Sequence, residues 1–429
     1  MRMGLAYDYK GNFRLAEKQY AKALEFIPSD VNAAYYQYFA AINGGRKRVA
    51  YKAYENYTTA QMANIKKLEE LPLDYKLDKK KAKPLNELDH KTIEEVYFEY
   101  GHSFTGNENI LSDLFPKHTS ILYSEGLVRN TQDYIHLSLN GNLSPFINWT
   151  AAFSNNTIHG VNLIQPRNSD YYTTASQVKQ MEFYGKLGFY SGDGWNIQIS
   201  GQFLGYNNYY TDVWTDSISY TVPETEDSIL LETPHYKEEN MDIKGEDAVF
   251  SISLNKKVGL IDFSLFGSYA SINNRNPFQI GGELSLLPGG NYGLYLTNRV
   301  FYYQDDFTDR IIYKVMAGSK ITKKLSFEGS ATFGDLKFTN EFNSPIVYNW
   351  SEKTSFKGDI VFSYQITSAV RLSLRYQITQ KLGSYKYYAY DKMIPSTQYP
   401  SYYYASYKKE IDQFKFNQHF LILGLYWVL

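Results

Sequence analysis

The chain has 429 residues, with 44 Lys and Arg against 45 Asp and Glu and a formal net charge of -1. That balance excludes the strongly basic class that holds nucleic acid through phosphate contacts. A mean hydropathy of -0.44, and no run of 18 apolar residues, exclude a protein that crosses a membrane with helices.

Cysteine is absent, so neither disulfides nor thiol chemistry are expected; Tyr (42) and Phe (26) are unusually frequent. Aromatic side chains favour strands and also collect in the interfacial girdles of membrane barrels. The opening M-R-M-G-L-A-Y lacks the apolar stretch of a signal peptide, so an exported protein would need sequence upstream of it.

The first 70 residues read as helical, with helices near 2–9, 13–26, 31–42 and a longer one near 46–70. Gly11, Ala16 and Tyr20 recur 34 positions later as Gly45, Ala50 and Tyr54. With Gly4, Tyr7, Ala23 and Pro28 at matching spacing, the segment resembles the tetratricopeptide repeat family. Its second copy is degenerate, carrying Tyr38 and Tyr57 where small residues belong. The resemblance implies stacked helix pairs whose first helices line a groove, presenting Asp8, Tyr9, Tyr35, Phe39 and Asn43 to a protein partner. Tyr35 and Phe39 could instead fill the seam between helices, and a helical hairpin without repeat ancestry is the other reading. One and a half repeats leave an end face uncovered, which calls for a neighbour. Residues 71–90, with two prolines and the run Lys79–Lys80–Lys81, read as a basic linker.

From 91 to 429 the pattern has period two. In 369–379, Val370, Leu372, Leu374, Tyr376 and Ile378 alternate with Arg371, Ser373, Arg375, Gln377 and Thr379. Strands are predicted near 93–103, 133–143, 146–157, 180–190, 194–206, 247–256, 259–270, 277–287, 291–303, 309–319, 323–334, 356–366, 369–381 and 412–428. Short connections alternate with the long gaps 158–179, 207–246, 335–355 and 382–411. Short turns on one rim and long loops on the other are the habit of transmembrane barrels, whose short turns face the periplasm. The expected fold is therefore α+β by content: short helices, then an antiparallel barrel of fourteen strands, with twelve or sixteen as alternatives. The closing H-F-L-I-L-G-L-Y-W-V-L resembles the terminal strand of Gram-negative outer-membrane barrels, although it ends in Leu429 rather than Phe. Glu182, Lys186, Lys357, Asp359, Arg371 and Arg375 fall on the polar face and are expected to line the lumen.

Little in the chain suggests chemistry. No two of its seven histidines sit at metal-ligand spacing, and no P-loop, H-E-x-x-H or G-x-S-x-G occurs, so no enzyme, metal or cofactor is expected. The 207–246 gap holds ten acids and two D-S-I triplets, and reads as a solvated acidic loop. The 382–411 gap is dense in tyrosine; Tyr385, Tyr387, Tyr388, Tyr402, Tyr403 and Tyr404 could anchor a partner, form a girdle or fold inward.

The whole chain resembles envelope proteins in which periplasmic repeats precede an outer-membrane barrel, such as exporters of cellulose-like and acetylated glucosamine polymers, but with fewer repeats. The resemblance implies a non-enzymatic barrel in outer-membrane lipid with its helices in the periplasm. Those helices are expected to dock a periplasmic or outer-membrane protein in a secretion, assembly or uptake complex. The alternatives are a transport channel or exporter for a polysaccharide or other polar solute, and a soluble β scaffold. No nucleic-acid partner is expected.

Overall fold

The computed structural model describes residues 1–9, 11–44, 46–69, 92–105, 121–144, 146–166, 172–190, 195–218, 233–258, 260–288, 292–322, 324–342, 344–348, 352–395 and 403–429. The predicted linker lies outside the described residues.

The N-terminal segment forms α1 (Arg2–Tyr9), α2 (Phe13–Phe26), α3 (Val31–Asn43), α4 (Lys47–Glu55) and α5 (Thr59–Glu69). Gly11 turns the chain between α1 and α2 at φ 71°, a conformation that costs a glycine little. Asp30 starts α3 by accepting from the amides of Asn32 (2.9 Å) and Ala33 (3.0 Å), satisfying donors with no intrahelical partner. Ala16 and Tyr20 are fully buried, and their counterparts Ala50 and Tyr54 at the 34-residue offset are buried as well. The long helix expected from 46 to 70 is instead two. Thr58 and Gln61 form a reciprocal cap, Thr58 N donating to Gln61 Oε1 at 2.8 Å and Gln61 N to Thr58 Oγ1 at 3.3 Å. This T-x-x-Q box starts a new helix and ends the old one.

Fourteen antiparallel strands follow: β1 (Glu95–Thr105), β2 (Ile121–Ser144), β3 (Ile147–Pro166), β4 (Tyr172–Tyr190), β5 (Trp195–Ile218), β6 (Thr233–Val258) and β7 (Ile261–Ser271). The rest are β8 (Phe278–Leu286), β9 (Leu294–Gln304), β10 (Asp309–Lys320), β11 (Leu325–Phe333), β12 (Lys353–Gln365), β13 (Val370–Pro395) and β14 (Tyr403–Val428). Each pairs with its neighbour in sequence, and β14 pairs with β1 from Glu95↔Val428 to Thr105↔Gln418, so the sheet closes. Closure leaves no row of unpaired backbone groups in the wall, the condition for spanning lipid with strands.

Three of the four long gaps are mostly strand. Hairpins β2–β3, β3–β4, β5–β6 and β13–β14 run well past the predicted ends, so the 207–246 and 382–411 stretches are chiefly paired ribbon. Beyond the end of β1, β13 also pairs with β2, Tyr385 opposite Gly126.

The two faces separate as the alternation requires. Leu372, Leu374 and Tyr376 are exposed on the outside, while Arg371, Ser373 and Arg375 turn inward. Exposed Phe98, Leu137, Phe183, Ile199, Leu265, Leu296 and Leu423 continue the outer belt around the barrel. A belt of that extent would be unstable in water, which removes the soluble scaffold. Trp149, Trp195 and Trp427 sit at the short-turn ends of their strands. Toward the other rim, outward Tyr376 meets His419 (2.6 Å), and His102 meets Asp133 (2.9 Å). From Trp427 to His419 is eight residues of tilted strand, roughly 21 Å, close to the apolar band of about 25 Å that outer-membrane barrels present.

The helices touch the short-turn rim. Phe146, in the β2–β3 turn, packs against the Tyr35, Tyr38, Ile42 and Ile65 cluster, and Arg14 donates to the Lys257 carbonyl at 3.1 Å.

Candidate functional site: the lumen and its inserted loop

The remaining gap, between β11 and β12, folds into the barrel. Gly334 begins the departure from β11 at φ 119°, where an added Cβ would lie 3.0 Å from the Ile311 carbonyl oxygen. Arg310 holds the first stretch by donating to the carbonyls of Asp335 (2.6 Å) and Lys337, its guanidinium 3.7 Å above the Tyr303 ring centroid. Phe338 adopts φ 59°, unusual for a bulky residue, and its ring is buried with Leu204, Val249, Ile272, Tyr303 and Val347. Burial of that ring offsets a backbone cost of about 1–3 kcal/mol. Leu336 and Tyr348 pack with wall residues Ile158, Phe266, Phe301 and Ile312, and Phe342 stacks on Phe266 at 4.2 Å.

The polar contacts are equally specific. Asn340 Oδ1 accepts from Ser268 (3.0 Å) and from Gln279. Glu341 Oε1 lies 2.6 Å from Lys357 Nζ, its Oε2 lies 3.4 Å from Lys314 Nζ, and the Tyr348 hydroxyl donates to it. Lys357 in turn donates to that hydroxyl at 2.8 Å. At the far end of the segment, Arg129 Nε lies 2.7 Å from Glu352 Oε1, both side chains buried. Backbone pairing to the wall is confined to the stem, where the Gly334 and Leu336 amides donate to the Ser355 (3.2 Å) and Thr354 (3.0 Å) carbonyls; the isolated bridge Asn340↔Val347 is within the loop. Beyond that stem, side chains rather than sheet hydrogen bonds hold this segment in the barrel.

Cavities remain on both sides of it. One, of about 210 Å³, is lined by Tyr97, Glu99, His136, Lys314, Glu341, Lys357, Asp359 and Arg375. Another, of about 540 Å³, lies toward the long-hairpin rim among Glu125, Thr211, Asp335, Lys337, Lys353 and Lys386, and a smaller one of about 80 Å³ touches Gln377 and Glu182. Below the loop, charges are paired in rows: Arg375 with Glu99 and Arg371 with Glu95, each at 3.6 Å. Arg371 also lies 3.9 Å above the Tyr426 ring, which stacks on Tyr97.

The structure therefore brings Lys357, Asp359, Arg371 and Arg375 together in the lumen. Glu182 is inward as well, accepting from Gln180 (2.5 Å) and Gln202 (2.6 Å), and Lys186 sits half-buried on the same strand face. Among the groove candidates, Tyr9 is 78% exposed, Asn43 is half-buried, and Asp8 is buried and accepts from Tyr20 at 3.3 Å. Tyr35 and Phe39 are buried in the helical seam, their rings 4.5 Å apart, and do not line a groove. The tyrosine cluster is not a surface loop. Tyr385 is 1% exposed, packed with Val128, Leu163, Phe414 and Phe416, and stacks with Tyr387. Tyr388 belongs to β13, Tyr403 and Tyr404 to β14, and Tyr402 lies outside the described residues.

Sequence reasoning missed Glu341, Lys314, Tyr348, Asn340 and Arg310. The available signal was composition: D-L-K-F-T-N-E-F at 335–342 carries three large apolar residues, more than a solvated loop needs. Among the described residues, no group of three or more His, Asp or Glu is placed to hold a metal ion.

A closed fourteen-strand barrel with an apolar belt outside and a polar lumen inside defines a transmembrane β-barrel of the outer membrane. No protein-family profile and no curated protein matches the chain. The chain is similar to several solved structures. A Pseudomonas aeruginosa FadL homologue has 6% identity and a TM-score of 0.44, covering 78% of this chain and 90% of its own. The Pseudomonas putida toluene transporter TodX has 6% identity and a TM-score of 0.45 over the same shares, 78% and 90%. The Acinetobacter baumannii outer membrane protein Omp33 has 9% identity and a TM-score of 0.32, covering 79% of this chain and 100% of its own.

Proposed function

We propose that the chain is an outer-membrane channel for polar solutes, closed in this state by the β11–β12 loop. One observation carries the reading: charged and polar cavities lie on either side of a segment that is held by side chains. Such a segment can leave at the cost of one backbone bond to the wall, Leu336 N to the Thr354 carbonyl, with the barrel's strand ladders intact, and the rows of lumenal charge it uncovers would tune passage. The short turns, and with them the helices, face the periplasm on this reading.

The helices support a second role. Phe26 (85% exposed), Ile27 (57%) and Tyr9 (78%) are large side chains left in solvent on a segment already fixed to the rim by Phe146 and Arg14. A protein partner docking there would use these residues rather than Tyr35 and Phe39.

The channel reading is tested by swelling of proteoliposomes in an uncharged pentose. With residues 336–347 replaced by a short Gly-Ser linker, swelling is expected to be at least tenfold faster than with the intact chain. A folded, membrane-inserted variant that swells no faster would overturn the reading.

A further inference from the structure

Glu341 is the carboxylate that the loop delivers to the barrel wall. Its receiving groups, Lys314 on β10 and Lys357 on β12, belong to strands that stay when the loop leaves. The other carboxylates of the adjoining cavity are wall residues with wall partners. Glu99 faces Arg375 (3.6 Å), Glu328 accepts from Tyr295, and Asp359 accepts from Ser330 (3.3 Å). Among the described residues that line this cavity, Lys314 and Lys357 are the cations that take an anion from the loop. Lys357 has Asp359 as a second carboxylate neighbour at 3.9 Å, whereas Glu341 is the carboxylate within reach of Lys314 among the described residues. The cavity of about 210 Å³ opens directly beside them, room for about seven waters or one small solute.

We propose that Lys314 and Lys357 form a binding site for the carboxylate of a small transported solute, which Glu341 occupies as an internal stand-in while the channel is closed. The inference rests on the channel reading and names the solute class for it. Two ammonium groups facing one carboxylate give charge-assisted hydrogen bonds, and a low-dielectric lumen strengthens them. Solute and loop then compete for the same two cations. A solute carboxylate that wins takes the loop's principal charge contact with it, so occupancy and opening are one event. The remaining lining offers that solute hydrogen-bond acceptors on Asp359 and Glu328. Such a site selects a carboxylate on a polar body rather than a hydrocarbon chain.

The probe is succinate, titrated calorimetrically into the full-length protein in detergent, with succinamide and inorganic phosphate alongside. Glu341→Gln removes the competing charge at nearly constant shape. It is expected to bind succinate at least tenfold tighter than the unsubstituted protein, and to bind succinamide at least tenfold more weakly than succinate. Adding Lys314→Met to Glu341→Gln should abolish the gain. The Gly-Ser loop replacement gives a second protein without the resident carboxylate, and should bind succinate as Glu341→Gln does. Equal binding of succinamide, an unchanged affinity after Lys314→Met, or no succinate binding by either folded variant would overturn the site. Phosphate binding as tight as succinate would overturn the commitment to a carboxylate. Swelling reports separately: a loop-replaced barrel that conducts but does not bind succinate leaves the channel standing and removes only this inference.

Discussion

The ammonium of Lys357, in the wall on β12, lies 2.6 Å from the carboxylate of Glu341, sixteen residues earlier on the loop that fills the lumen. Both side chains are largely buried, at 5% and 18% exposure. A pair of this kind contributes modestly to net stability, because desolvating both ions cancels much of their attraction; breaking it is costly, because one charge is left buried without its partner.

Lys357→Met should therefore loosen the loop, by less than the roughly 3–5 kcal/mol of a fully orphaned charge because Lys314 still faces Glu341, whereas the double change Lys357→Met with Glu341→Met should restore only part of that loss, since it also takes the carboxylate from Lys314. Hydrogen exchange reads this directly: the amides of Phe338 and Tyr348 should exchange faster in the single variant while the β12 and β13 amides are unchanged. Equal protection in the single variant and the unsubstituted protein would show that the apolar contacts suffice.

Gly334→Val should have a related effect by another route. At φ 119° a β-branched side chain is strained, and its Cβ would meet the Ile311 carbonyl oxygen at 3.0 Å. The stem of the loop is expected to shift, lowering protection at Leu336 and Phe338 with strand pairing intact; unchanged protection there would show that the stem tolerates the strain.

The lipid belt is tested by comparing the faces of one strand. Leu374 is exposed on the outside of β13 and Gln377 lines a lumenal cavity. Lysine at 374 should cost about 2–4 kcal/mol if the position is near the bilayer midplane, and lysine at 377 much less. Heat-modifiable gel mobility and the fraction recovered in the outer membrane report the difference, and equal losses would contradict the assignment of faces.

Asp8 gives the helices a pH dependence. Burial pushes its carboxyl up to about 6, against a smaller downward pull from the Tyr20 hydrogen bond. Between the ordinary value of 3.8 and about 6, the folded helices hold a proton that the unfolded chain releases, so stability is greatest below that window and falls as pH rises through it. Asp8→Asn should flatten the dependence and raise helical stability at pH 7. The check is thermal loss of the 222 nm signal in the detergent-solubilised full chain at pH 4 and pH 7; a slope unaffected by the substitution would rule out Asp8 as its source.

Where one face meets lipid and the other the lumen, the sequence was easy to read, because the alternation of Leu372 and Leu374 with Arg371 and Arg375 reports both solvents at once. Past the bilayer that contrast disappears. In 384–388, S-Y-K-Y-Y, both faces of β13 carry polar or amphipathic groups, so the strand continues without a signal that it does. The split between α4 and α5 was legible in Thr58 and Gln61 but was hidden by the continuous helical propensity on either side. Glu341 was beyond local reading. Its significance comes from Lys314 and Lys357, which reach it only after the barrel has closed and the loop has folded inward.

The most direct measurement is single-channel conductance in a planar bilayer, comparing the intact chain with the variant in which residues 336–347 are replaced by a short linker. A lumen closed by a displaceable loop predicts that the intact protein is silent or opens rarely, and that the replaced barrel, still heat-modifiable and inserted, conducts steadily. Two equally silent barrels would contradict that account. So would two that conduct identically, since the β11–β12 loop would then have no part in closing the lumen.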